Sequence, residues 1–130
     1  MIPHGLSLPS PCYNLPMKVV HRDKVAAENP GGDSRGVTLR WLITQGDGAS
    51  RFFMRLFEIE PGGYTPLHSH PWEHEVFVVS GLGEVRGEGR SFPLGPGDAV
   101  YVEEGETHQF RNAGGSPFVF LCVVPSHAAG

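Results

Sequence analysis

The stretch His68-Ser69-His70-Pro71-Trp72-Glu73-His74-Glu75 decides how this chain is read. A neutral imidazole is the commonest protein ligand for a borderline transition metal. Three of them fall between positions 68 and 74, and a fourth, His108, follows in Glu106-Thr107-His108-Gln109-Phe110-Arg111-Asn112. On extended chain, side chains alternate faces, so His68 and His70 project together while Ser69 points away. Pro71 cannot continue a ladder, which predicts a turn at Pro71-Trp72-Glu73 before a strand starting at His74. If Val76 and Val78 face an interior, alternation puts His74 with them and Glu75 on the opposite side. His74 is therefore the expected ligand, with Glu75 the alternative. Scattered surface histidines are the reading against which a metal site has to be weighed.

Working outward, short apolar runs separated by turn residues predict strands over residues 37–44, 51–59, 64–70, 74–79, 83–87, 99–102, 107–111 and 118–124. Turns are expected at residues 45–48, 60–63, 80–83, 94–98, 103–106 and 112–115, with one helical turn between 22 and 28. The 18 glycines and 12 prolines in 130 residues fit an all-β sandwich or barrel, and the length fits one domain with one site. The Gly81–Gly89 stretch GLGEVRGEG joins β-like segments and precedes no helix, so it reads as a hairpin or strand and not as a dinucleotide loop.

The glycines frame the two histidine clusters in a recognisable order. Gly62, His68, His70 and Gly81 fit the pattern G-x5-H-x-H-x3-4-E-x6-G, and Gly97, Gly105, His108 and Asn112 fit G-x5-P-x-G-x2-H-x3-N. In these two motifs, over residues 62–81 and 97–112, the chain resembles the cupin superfamily. Two positions depart from the pattern: His74 stands in place of the usual glutamate, and Glu103 in place of the usual proline. Within that superfamily the chain resembles small single-domain, four-histidine bacterial cupins described as manganese-binding, over roughly residues 35–125. The resemblance implies a double-stranded β-helix, or jelly-roll barrel, over residues 17–130, and a homodimer. Phe77 and Val79, or the strand near 37–43, would then be covered by the partner. It also implies one divalent transition metal on His68, His70, His74 and His108, with Mn or Fe favoured and Ni, Cu, Co or Zn as competitors.

Residues 1–16 read as an irregular arm with four prolines and no basic, apolar leader pattern, and no stretch approaches the ~20 apolar residues of a membrane span. A cytoplasmic protein is expected. A net charge of −4 without a basic stripe argues against nucleic-acid and membrane partners and leaves a small-molecule ligand. His4, His21 and His127 are expected to face solvent. Cys12 and Cys122 are read as free thiols, Cys122 being either a small buried hydrophobe or a thiol beside the metal.

Four neutral ligands leave the full divalent charge on the ion, so the site should favour anionic or enolate-like molecules. Parity and the resemblance place Tyr64, Phe110, Phe120 and Cys122 in an aromatic pocket. Tyr64 is the one candidate for proton transfer and equally a packed aromatic. Glu73, Glu75 and Arg55 could approach the mouth, which parity does not establish. The expected function is a dioxygenase-like oxidoreductase acting on a small, partly apolar compound. The alternatives are a ligand-binding or sensing cupin and a metal-dependent isomerase or lyase.

Overall fold

The computed structural model describes residues 17–128; the arm expected over 1–16, with His4 and Cys12, lies outside them. Eight strands follow in chain order: β1 (Arg35–Ile43), β2 (Phe52–Tyr64), β3 (His74–Ser80), β4 (Gly83–Gly87), β5 (Arg90–Leu94), β6 (Ala99–Val102), β7 (Gln109–Asn112) and β8 (Phe118–Pro125). Helix is confined to two 3-10 turns among the described residues, Arg22–Lys24 and Gln45–Asp47. The strands form one antiparallel sheet in the order β5-β4-β7-β2-β8-β3-β6, with β1 added to the free side of β2. Curled on itself, this sheet is a jelly-roll barrel whose inner face holds the core.

Rows of paired residues cross the sheet and show how parity builds that core. Leu39, Phe57, Phe120 and Val78 form one row, and Trp41, Arg55, Cys122 and Val76 the next. Phe57 stacks on Phe120 at 5.1 Å, and Phe120 also meets Phe110 at 4.8 Å and Phe118 at 5.3 Å, giving the barrel an aromatic wall. In β3, His74, Val76 and Val78 are buried while Glu75, Phe77 and Val79 are exposed, the alternation expected of a half-buried strand.

The structure departs from the expected elements in three places. Glu60–Gly63, read as a turn, is a bulge inside β2: Val37 pairs with Ile59 and Arg35 with Tyr64, so four residues of β2 stand against Gly36. A strand over 64–70 is not formed. After Tyr64 the chain keeps only a single bridge, His68 with His108, because Pro66 has no N–H for a ladder. The third difference is β5, which carries Pro93 and lacks an alternating apolar pattern. It is an edge strand paired only to β4, where proline is tolerated. GLGEVRGEG holds β4 and the turn that leads into β5, the first half of the β4–β5 hairpin.

The motif glycines Gly62, Gly81, Gly97 and Gly105 all have positive φ, between 78° and 93°. At Gly81 the constraint is double, since a Cβ would also meet the carbonyl oxygen of Pro117 and Cα of Phe118. The motif asparagine, Asn112, is buried. Its side-chain amide donates to the carbonyls of Ile59 and Ser116, both at 2.8 Å, and its oxygen accepts from Gly114 N at 2.7 Å. It ties the end of β7 to β2 and has no part in ligation.

Candidate metal centre

The segment that follows β2 reaches the barrel mouth along β7 by a few main-chain contacts. Thr65 N donates to Phe110 O at 2.9 Å, and Phe110 N returns a bond to Thr65 Oγ1 at 2.9 Å. His68 and His108 exchange both main-chain bonds, at 3.1 and 2.9 Å, and Gly105 N donates to His70 O at 2.6 Å. The two motifs are thereby sewn together at their histidines. His68, His70 and His108 bring ring nitrogens within 4.8 Å of one another. His74 enters from β3, with its ring centre 5.1 Å from that of His70 and 5.0 Å from that of His108.

Each ring is held by what surrounds it. His108 Nδ1 donates to Glu106 O at 2.8 Å, which leaves Nε2 as a free lone pair. His70 is stacked face to face on Trp72, 4.6 Å apart and 3° from parallel. His74 is buried, and its Nε2 has no hydrogen-bond partner. Its Nδ1 lies 3.4 Å from Cys122 Sγ, and the same sulfur accepts from Arg55 Nη2 at 3.0 Å. The protonation consistent with a Nε2 ligand puts the hydrogen on Nδ1, donating to the sulfur. The 3.4 Å approach of Arg55 Nη2 to His74 Nδ1 is then a contact between two donors.

Electrostatics keep all four imidazoles neutral. Burial lowers the pKa of each, taking His70 to about 4 and His74 to about 3. The Arg55 charge pushes the same way at every one of them. At His108 the Glu106 carbonyl works against burial without reversing it. Burial raises the Cys122 thiol, with Arg55 opposing. Four unprotonated imidazoles and an orphaned Nε2 are a donor set suited to a borderline divalent ion, with no carboxylate among the lining residues to compete.

A cavity of about 380 Å³ opens beside the rings. Phe110, Phe120 and Cys122 line it as expected, and Tyr64 does not. Tyr64 sits in the ladder between Arg35 and Arg111, and the bulge before it and the irregular chain after it turn Thr65 inward instead. Glu75 is exposed on the outer face of β3, and Glu73 accepts from the exposed Tyr101 hydroxyl at 2.7 Å. Neither glutamate lines the cavity, whereas Arg55 does. His21 and His127 are exposed.

Sequence reasoning missed several lining residues, among them Pro30, Leu39, Phe57, Thr65 and Trp72, and left Arg55 undecided. A signal for Arg55 was present in Phe53-Met54-Arg55-Leu56-Phe57, where parity with Phe53, Phe57 and Ile59 sets a cation on an inward face. It was obscured because Leu56, on the other face, is apolar and also buried.

Comparison with known proteins agrees with this architecture. The chain is 40% identical to the polyketide cyclase RemF from Streptomyces resistomycificus, whose structure superposes with a TM-score of 0.81 over 85% of this chain and 80% of that one. It is 39% identical over 82 residues to the polyketide synthase CurC of Streptomyces cyaneus, covering 62% of this chain and 53% of that protein. It is 32% identical over 76 residues to an oxalate-binding protein of Thermotoga maritima, covering 58% and 62% respectively. The matched region thus spans between about half and two thirds of these two curated relatives. The Cupin_2 profile, a cupin domain, matches residues 55–124, which hold all four histidines, Arg55 and the aromatic wall, and the chain belongs to that family.

Proposed function

We propose that His68, His70, His74 and His108 hold one divalent transition metal, and that the protein acts on a small, flat organic compound with enolisable or phenolic oxygens. Ring closure of a polycarbonyl chain is the reaction class we favour. The observation that carries this reading is the buried, unpartnered Nε2 of His74 beside three converging histidines at the mouth of an aromatic cavity. The likeness to RemF and CurC supports the substrate class. A divalent ion bound there supplies Lewis acidity toward a carbonyl or enolate oxygen or, if it is Mn or Fe, a redox couple.

The chain's own residues supply the rest. Phe57, Phe110 and Phe120 offer flat apolar walls to a planar ring system and exclude water from it. Trp72 holds His70 in orientation, and Glu106 holds His108 in its tautomer. With Tyr64 outside the cavity, an isomerase or lyase mechanism that uses its hydroxyl as the proton carrier loses its support.

That same scarcity of proton carriers favours the dioxygenase-like oxidoreductase as the second reading, since oxygen chemistry leans on the metal rather than on a side-chain acid. Metal-loaded protein incubated with short poly-β-ketone thioesters, followed by mass spectrometry and an oxygen electrode, separates the two. Loss of water without oxygen uptake supports ring closure; oxygen uptake with oxygenated product supports the second reading. Saturable binding with no turnover leaves a binding or sensing module, and full activity after chelation overturns the metal-dependent reading.

We also propose a homodimer that covers Phe77 and Val79, which are 49% and 43% exposed on the outer face of β3. A monomer by light scattering at micromolar concentration overturns it.

A further inference from the structure

The most unusual charge in the molecule is Arg55. It stands on the inner face of β2, between Phe53 and Phe57 in parity, and pairs across the sheet with Trp41 on one side and Cys122 on the other. Its guanidinium carbon lies 5.2 Å from the centre of the Trp41 ring and 4.9 Å from that of Phe57. These aromatic contacts set two rings against the cation. They leave its edge, where the five N–H donors lie, to find acceptors of its own.

Those acceptors are missing. Among the described residues no carboxylate lies within ion-pair distance of Arg55, and its Nη2 donates to the sulfur of Cys122 at 3.0 Å, a weak acceptor. Nε is buried and has no partner. The cavity that Arg55 lines contains no aspartate or glutamate. A guanidinium partly withdrawn from water with its Nε fully buried and no anion beside it is costly, and a chain that keeps one beside four neutral histidines has left the counter-charge to something that enters.

We infer that Arg55 seats an anionic oxygen of the ligand, so that the site selects a planar organic acid, carboxylate or ionised enol, over its neutral isostere. The inference rests on the metal-dependent reading above and deepens it. The ligand's apolar ring lies against the aromatic wall, one oxygen reaches the histidine centre, and a second, charged oxygen meets the unpartnered edge of Arg55. Arg55 is thereby a specificity-determining residue; no proton moves through it.

The test uses 2-hydroxybenzoate and its neutral amide, 2-hydroxybenzamide, titrated calorimetrically into the metal-loaded protein. The metal content of every sample is measured beforehand. Wild-type protein should prefer the acid. Arg55→Gln should weaken the acid about tenfold to a hundredfold while moving the amide by about twofold or less. Arg55→Lys, which keeps the charge but loses the fork, should fall between and carries the test if the glutamine variant does not fold. In metal-free wild-type protein a reduced preference for the acid should persist, because Arg55 remains. Equal weakening of both compounds in the variants, an undiminished preference in Arg55→Gln, or no binding of either compound to wild type overturns the assignment. A protein that binds no metal yet still prefers the acid through Arg55 sinks the metal reading and leaves this one standing.

Discussion

His74 and His70 lie 5.1 Å apart, yet they are held by different devices. His74 belongs to β3 and pairs with Val102 in a continuous ladder, with Val76 and Val78 buried behind it on the same face. His70 stands on irregular chain, fixed by one main-chain bond from Gly105 and by the Trp72 ring stacked on its own. A ligand in a ladder takes its direction from backbone geometry and is as firm as the sheet. A ligand on a loop takes it from neighbours, so it can be loosened without unfolding anything.

Removing His108 should have the largest effect, because it is the residue at which the two arrangements meet. His108→Ala should lower metal affinity by more than the about 10–100-fold cost of losing an outer partner, while circular dichroism keeps its strand signature. Retention of stoichiometric metal after dialysis would count against the centre. Val78→Ala attacks the ladder: it should lower stability by about 2 kcal/mol in denaturant titration, with metal affinity changed little in the folded fraction. Trp72→Ala attacks the loop and should do the reverse, weakening metal binding about tenfold with little change in denaturation midpoint. If both variants lose stability and affinity together, the distinction between ladder and loop collapses.

Acid should expose the same pair in metal-free protein. His70 and His74 are held at about 4 and about 3, below the ordinary 6.5, so between these values the unfolded chain binds more protons than the folded one. Stability is therefore full above about pH 6.5 and declines as the pH falls toward 4 and then 3. Thermal melts from pH 7 to 4 check the direction, and a stability that rises on acidification contradicts it. The smallest effect is expected at Glu75→Gln, on the outer face of β3: metal affinity within about twofold of wild type. A loss comparable to that of His108→Ala would transfer the fourth ligand position from His74 to Glu75.

The sequence alone carried the family and the jelly-roll class through the resemblance of its two histidine and glycine motifs to the cupins, and the choice of His74 over Glu75 for the inward face through period-two alternation. It also placed Phe110, Phe120 and Cys122 in the cavity, since β7 and β8 are regular strands. Tyr64 failed where regularity failed: the bulge at residues 60–63 and the loss of the ladder after it broke the parity count. The edge strand β5 was illegible because its burial pattern is nearly all exposed and its proline argues against a strand. Tertiary structure decided what no alternation reports: that Trp72 turns back onto His70 and that the inward cation of β2 meets neither aspartate nor glutamate among the described residues. Periodicity states which face a side chain takes; only the closed barrel states which partners are waiting there.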